Sequence, residues 1–371
     1  MKILIDGRVL DRKITGTSRY LLNILKVLPQ CDNINNYLLI TNSAPDSNRS
    51  FYKIINYKSS ILPYKLYSPF WLNYNIPSLI KEHRIDILFS PNVLTPINKI
   101  KGVKFVSVVH DSIYKIYPEY YPFFYRLYLD FFLPISLNNS DAIVTVSELS
   151  KKDITKHFHI HNEKIFVIPN TVSSIFNSER VSEDEKSKLV FKYGLPRKYL
   201  LFVGVIEKRK NIFGILKVMD KLKEKGSKLE LVLVGKSGYY ASMILPEIKK
   251  RENFIRYISF IDDIDLASIY KSSFAFIFPS YYEGFGIPPL EAMNCGIPVL
   301  SSNTSAMLEV VGNGGILLDP DDHDSFVNEI LKLENDEDFY SAMKRNALEQ
   351  AKKFNLESST KKLIDIFNVF K

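Results

Sequence analysis

Short apolar runs alternate with longer amphipathic stretches along almost the whole chain, and this constrains the fold more than any other feature. The first half carries "KILIDG", "NYLLIT", "IDILFSP", "KFVSVVHD", "AIVTVS" and "KIFVIPN". Each is short, rich in branched residues and apolar on both alternating sides, as strands buried on both faces of a parallel sheet must be. A helix is expected near Thr17 and another after Ser147. The segment 171–197 is polar and reads as a connection, with a Ser/Glu/Lys-rich part that can be helical. The alternation then restarts with "YLLFVGV", "LELVLVGK", "FIRYISF", "FAFIFPS" and "IPVLSS", each separated by helical periodicity, and a long helical tail follows from about Asp324. Gly226 and Gly296 stand where helices should end.

This pattern predicts an α/β protein of two doubly wound, Rossmann-like domains. Residues 1–175 form the first and 176–355 the second; a last helix over 356–371 is expected to cross back to the first. Ligands of such folds bind beyond the carboxyl ends of the strands, here expected in the cleft between domains.

Composition narrows the partners. The 371 residues carry a net charge of +8, which favours an anionic partner: nucleic acid, anionic membrane or a phosphorylated small molecule. Cys31 and Cys295 have no metal or redox spacing, which fits a reducing compartment. "MKILIDGRVL" reads as a strand rather than a signal sequence, and no run of 18 apolar residues exists.

The chemistry concentrates in "YYEGFGIPPLEAMNCGIPVL", Tyr281 to Leu300. Glu283 and Glu291 flank a Gly284-Phe285-Gly286 turn and two prolines suited to the start of a helix. The N–H groups of such a first turn can bind phosphate, and Glu291 is expected in that turn, turned towards sugar hydroxyls. The bland alternative makes Glu291 a dipole-stabilising helix residue and Glu283 a solvated loop acid.

The segment resembles the Glu-x7-Glu motif of retaining glycosyltransferases with the GT-B fold, glycosyltransferase family 4, and the bacterial polysaccharide mannosyltransferases within it. The resemblance continues in "ITGTSRY", "VVHDSIYKIYPEYY", "IVTVSELSKKDI", "VIPNTV", "LLFVGVIEKRKN" and "SNTSAMLEVVGNGGILLDPDD". It implies that Glu291 bonds the ribose of a nucleotide sugar and that Glu283 lies near the donor hexose. The backbone around Phe285, Gly286 and Ile287, with Gly204 and Gly235, would border the donor. His110 would approach the donor sugar from the first domain. Gly16 would border the diphosphate, with Thr15, Thr17, Asp111 and Tyr114 on the acceptor side. Arg209 and Lys210 would be the diphosphate cations. Many family members carry Arg directly after the glycine where this chain has Val205; Arg209 is the expected substitute. The bland reading of "EKRKN" is a solvated basic loop.

Other signals lead elsewhere. "VGKSG" has Glu230 where a P-loop needs its first glycine, and "GFGIPP" has Pro289 in place of a dinucleotide fingerprint's third. "DDID" and "DDHD" precede helices and read as caps, so no metal is expected. The alternating His157, His159 and His161 lack companion ligands. Ten aromatic side chains between Ile113 and Leu133 read as packing, an acceptor platform or a membrane-facing surface; no nucleic-acid motif accompanies them.

The expected protein is thus a retaining hexosyltransferase, mannose being the best guess. It needs no cofactor and uses a GDP- or UDP-hexose donor and a glycan or polyprenyl-diphosphate-linked acceptor. It is expected to be cytoplasmic and peripheral on an anionic membrane. A nucleotide-sugar epimerase would instead interconvert sugars without an acceptor, and a non-catalytic sugar- or nucleotide-binding protein would show no donor turnover.

Overall fold

The computed structural model describes residues 1–11, 15–43, 49–57 and 69–371. The chain divides into two compact units, one of Met1–Thr171 with Asn355–Lys371, the other of Val172–Phe354.

The first unit holds a seven-stranded sheet in the order β3-β2-β1-β4-β5-β6-β7, every neighbouring pair parallel. Its strands are β1 (Lys2–Ile5), β2 (Asn36–Ile40), β3 (Tyr52–Ile55), β4 (Ile87–Ser90), β5 (Lys104–Val109), β6 (Ala142–Thr145) and β7 (Ile165–Val167). Alternation along β1 explains why both faces are covered. Ile3 and Ile5 enter one core with Leu21, Leu25, Leu363 and Phe367, while Leu4 enters the opposite core with Trp71, Ile76 and Phe105. Helix α1 (Gly16–Cys31) supplies the first of these layers. Thr15 caps it, its Oγ1 accepting from the Ser18 N–H at 3.3 Å while Ser18 Oγ accepts from the Thr15 N–H at 2.7 Å. A third core lies under helix α2 (Phe123–Asn139), with Tyr114, Leu133, Leu137 and Ile143.

The second unit holds a six-stranded parallel sheet in the order β10-β9-β8-β11-β12-β13. Its strands are β8 (Tyr199–Val203), β9 (Glu230–Val234), β10 (Ile255–Ile258), β11 (Ala275–Phe278), β12 (Val299–Ser302) and β13 (Ile316–Leu318). The strand order reverses direction at β8/β11, as it does at β1/β4 in the first unit. The helices used below are α3 (Ile212–Glu224), α4 (Asp263–Ser272) and α5 (Ile287–Asn294).

The strand motifs fall where the sequence pattern puts them, with two omissions, β3 and β13. Both are edge strands of three or four residues. The helical tail expected from about Asp324, with its last helix over 356–371, is three helices separated by cap residues. Asp336 accepts from the Phe339 N–H at 2.9 Å and Asn355 from the Ser358 N–H at 2.9 Å. The last of the three, Leu356–Asn368, packs on α1 within the first unit's core.

Candidate active site

The charged residues of the second unit meet at its topological switch point. The loop after β8 carries Glu207, Arg209 and Lys210; the loop after the neighbouring strand β11 carries Ser280 and Glu283. Three donors converge on one carboxylate oxygen, Glu283 Oε1: Lys210 Nζ at 2.5 Å, Ser280 Oγ at 2.6 Å and Arg209 Nη1 at 2.9 Å. Glu283 Oε2 makes no hydrogen bond among the described residues. Arg209 is held from two further sides, by the Tyr282 carbonyl at 2.6 Å and Glu207 Oε1 at 2.5 Å. Lys210 Nζ also lies 4.8 Å from the centre of the Phe278 ring.

Burial sets the electrostatics. Glu283 and Lys210 are 8% and 7% exposed. Burial pushes the Glu283 carboxyl up, but Arg209, Lys210 and the hydrogen bonds from Lys210 and Ser280 outweigh it and hold it at about 2. Burial and the adjacent Arg209 push the Lys210 ammonium down, against the pull of Glu283. Neither the solvated basic loop nor the solvated loop acid survives this arrangement. Ser305, with φ of +55°, accepts from the Glu283 N–H at 3.0 Å and fixes the loop from the β12 side.

Two glycines are required here. A Cβ on Gly235 would stand 1.8 Å from the Gly204 carbonyl oxygen, so the loops after β8 and β9 can lie this close only without one. A Cβ on Gly286, whose φ is +106°, would meet Met307 Cε at 2.2 Å. Gly286 precedes α5, and Ile287, Pro288 and Pro289 are its first three residues. The helix start is therefore poorer in donors than the sequence suggested: the prolines remove two N–H groups, and among these first three residues only Ile287 keeps one. Glu291 is also displaced from its expected place. It is the fifth helical residue, in the second turn rather than the first, and is 2% exposed. Its Oε2 accepts from the Tyr270 hydroxyl of α4 at 2.9 Å. Phe285 is buried, its ring edge-on to Phe354 at 5.6 Å between centroids.

In the first unit His110 follows β5 and is partly buried. Its Nε2 lies 3.1 Å from the Pro91 carbonyl oxygen. A carbonyl only accepts, so Nε2 carries the hydrogen and Nδ1 presents a lone pair. Burial lowers its pKa to about 4, against the Pro91 bond, so the ring is neutral at pH 7. Tyr20 meets it edge-on at 5.1 Å. Asp111 accepts from the Ile113 N–H at 3.2 Å. Gly16 and Thr17 open α1, and the Thr15 oxygen is engaged in capping that helix rather than held ready for a ligand. Ile14 of the same motif lies outside the described residues.

Both Asp-x-Asp sequences serve as caps. Asp262 accepts from the Asp265 N–H at 3.0 Å and Asp322 from the Ser325 N–H at 3.0 Å. His159 ends its helix in the left-handed conformation. Sequence reasoning missed Glu207, Ser280, Ser305 and Tyr270. Ser280 had a usable signal, a hydroxyl just past a buried strand and three residues before Glu283. The partnerships of Ser305 and Tyr270 are long-range and leave no local trace.

Two family models match the chain: "Glycosyltransferase Family 4" over residues 14–174 and "Glycosyl transferases group 1" over 185–350. The chain is 33% identical over 294 residues to O-antigen chain mannosyltransferase B of Escherichia coli, covering 78% of this chain and 76% of that protein. It is 30% identical over 279 residues to the serotype-specific mannosyltransferase WbdA of the same species, covering 71% of this chain and 33% of that longer protein. Sucrose-phosphate synthase from Thermosynechococcus elongatus superposes with a TM-score of 0.77 at 17% identity, over 99% of this chain and 98% of that one. Anabaena HepE, solved with UDP and glucose, superposes at 0.74 and 17% identity over the full length of both chains. With two parallel Rossmann-like units and these relatives, the chain belongs to glycosyltransferase family 4, of GT-B fold.

Proposed function

We propose that the protein transfers a hexose, mannose in the best reading, from a nucleotide-diphosphate sugar to a glycan or polyprenyl-diphosphate-linked glycan during O-antigen or capsule synthesis. The observation that carries this reading is the buried pair of cations at the second unit's switch point. Doubly wound sheets bind nucleotides there, and Lys210 and Arg209 supply positive charge where a leaving diphosphate gathers negative charge. Mannose, and the polysaccharide product, are supported by the names of two relatives, O-antigen chain mannosyltransferase B and the mannosyltransferase WbdA. The donor is GDP- or UDP-linked; HepE has been solved with UDP-glucose.

In this reading Glu291 and Ile287 hold the nucleotide end and the second oxygen of Glu283 accepts from a donor-sugar hydroxyl. His110 accepts from another through Nδ1. The bond from the anomeric carbon to the diphosphate oxygen breaks. The acceptor oxygen bonds to the same face of that carbon, and its proton passes to the departing phosphate. Retention by this front-face route suits a site whose carboxylates are engaged: Glu283 by three donors and Glu291 by Tyr270. The cations do the electrostatic work, so activity should survive excess EDTA. Membrane association is proposed to be peripheral; no helix among the described residues is long and apolar enough to cross a bilayer.

The test is a donor screen of GDP- and UDP-hexoses against isoprenoid-linked glycans. The first-formed product is then read by its anomeric NMR coupling. The donor's configuration is expected in the product; inversion would reject the mechanism, and turnover without an acceptor would favour epimerisation.

A further inference from the structure

The His110 imidazole has one hydrogen bond among the described residues, and its partner belongs to a strained turn. The acceptor is the Pro91 carbonyl oxygen, 3.1 Å from Nε2. Pro91 directly follows β4, which pairs with β5, the strand that His110 follows. Asn92, Val93 and Leu94 then make a three-residue turn. The Leu94 N–H donates to the Asn92 carbonyl at 2.7 Å, and Val93 at its centre has φ of +56°. A turn of this hand is rare and strained, and a β-branched residue is ill suited to it. We propose that Val93 is a positioning residue: its turn holds the Pro91 carbonyl against His110 and keeps the imidazole in the Nε2–H form, with Nδ1 as the acceptor for the donor sugar. The part played by His110 rests on the transferase reading above.

The placing of strained backbone supports this. Six of the described non-glycine residues have positive φ. Four of them, Arg84, His159, Asn211 and Tyr240, stand at helix ends. The other two lie in loops beside side chains assigned to the donor sugar. Ser305 accepts from the Glu283 N–H, and Val93 is two residues from the carbonyl that holds His110. Such strain costs stability, persists only where the surroundings impose it, and gathers at functional sites.

Other contacts do not replace the turn. Tyr20 packs edge-on to the imidazole at 5.1 Å, but its hydroxyl has no hydrogen-bond partner, so it limits the ring without choosing its tautomer. A neutral imidazole with no fixed partner divides between two tautomers, and Nδ1–H would be a donor where an acceptor is needed. Packing is the competing explanation for Val93, which is half-buried against the core under α2. Apolar contact rewards the side chain, however, and does not by itself select a left-handed backbone.

Two substitutions in the full chain separate the turn from the packing. Val93→Gly removes the whole side chain but takes up positive φ without strain. Val93→Pro keeps most of the apolar bulk and locks φ at about −65°; the Val93 N–H it deletes makes no hydrogen bond among the described residues. Long-range proton–nitrogen NMR reads the His110 ring nitrogens, assigned by their loss in His110→Gln. The wild type and Val93→Gly should both show the Nε2–H form, with similar kcat/KM for the sugar donor. Val93→Pro should show a mixture of tautomers and a kcat/KM roughly three- to tenfold lower. Its affinity for GDP or UDP should be unchanged, because a nucleoside diphosphate lacks the hexose. If Val93 only fills space, Val93→Gly should be the more damaged in Tm and activity, with the ring nitrogens of both variants as in the wild type. That outcome would overturn the positioning proposal and leave the transferase reading standing. So would a wild-type His110 in the Nδ1–H form, a measurement that needs neither variant to fold. A tautomer shift in Val93→Pro, with no sugar transfer by any of the proteins including the wild type, would uphold the hold of the turn on His110 and reject the transferase reading.

Discussion

The two units use one architecture for opposite electrostatics. Both are parallel sheets with a switch point, but among the described residues only the second gathers a network of charges there. Glu207, Arg209, Lys210 and Glu283 nearly neutralise one another in a buried cluster that an incoming diphosphate could reorganise. At the first unit's switch point Asp6 and Arg8 form a bidentate pair, both carboxylate oxygens taking guanidinium hydrogens at 2.7 Å, and the guanidinium lies 4.6 Å from the centre of the Trp71 ring. The groups past the end of β5 are a neutral imidazole, the Asp111 carboxylate and Tyr114. The comparison teaches that strand order marks where chemistry can occur, and loop residues decide which chemistry it is.

Breaking the charged cluster should have the largest effect. Glu283→Ala leaves two buried cations facing each other, and removing one partner of a buried pair costs about 3–5 kcal/mol. Added GDP or UDP should restore much of the lost Tm, because an anion that binds only the folded state replaces the missing charge. Lys210→Ala should lower kcat by about 10²–10³, the usual cost of removing a preorganised charge-stabilising group. A Glu283→Ala protein as stable as the wild type, and no more responsive to nucleotide, would dissolve the contrast between the units.

Glu291 sharpens the comparison within the second unit. It is as buried as Glu283, and its Oε2 accepts from the Tyr270 hydroxyl. Glu291→Gln keeps its shape and removes its charge. Nucleotide-diphosphate affinity should fall roughly 10- to 100-fold, corresponding to about 1.5–3 kcal/mol for a charge-assisted bond. Tyr270→Phe should give a smaller loss by calorimetry. Equal affinities in wild type and Glu291→Gln would remove the ribose assignment.

Much of this was legible in the sequence, and the reason is local encoding. The parallel sheets follow from apolar runs, the Asp262 and Asp322 caps from residues directly before helices, and Gly286 from its place in a turn. Lys210 and Glu283 were nominated by a motif, but their pairing across 73 residues was not visible. Neither was the burial of Glu291, which depends on α4 packing against α5. Position within a helix also failed: the helix begins at Ile287, ahead of both prolines, which puts Glu291 in its second turn. The cavity of about 200 Å³ under α2 was not read from the sequence, because two apolar four-residue repeats, Tyr121-Tyr125-Leu129-Leu133 and Phe123-Leu127-Phe131, run side by side there and nothing local says which one faces inward.

The first unit should reveal itself through pH. His110 has a folded pKa near 4 against about 6.5 unfolded. Between these values the unfolded chain binds more protons, so stability falls as pH drops through this window. From pH 6.5 to pH 5 the loss is about 2 kcal/mol. His110→Gln should flatten that part of the Tm profile. Glu283 titrates below it, near pH 2, and should not contribute. A profile unchanged by His110→Gln would mean that the imidazole is not held neutral.

The smallest expected effect lies on the outer face of α2. Phe123, Phe124, Leu127 and Phe131 are 59%, 82%, 50% and 60% exposed, and four-residue spacing sets Phe123, Leu127 and Phe131 on one stripe. So long an apolar face suits the headgroup boundary of a bilayer. The charge contribution is weaker than the sequence suggested. Lys115 is paired with Asp130 at 2.6 Å, and the Arg126 guanidinium lies 5.6 Å from the centre of the Phe123 ring. Vesicle binding should therefore persist through a salt series that would release a purely electrostatic partner. Phe124→Ser should weaken it about fivefold, near 1 kcal/mol for a ring only partly withdrawn from water. Co-sedimentation separates the outcomes. Binding lost at moderate salt would shift the attraction from α2 to the chain's net charge. Equal binding by wild type and Phe124→Ser would leave the outer stripe as surface, and only the inner, cavity-lining stripe of the helix would then distinguish the first unit from the second.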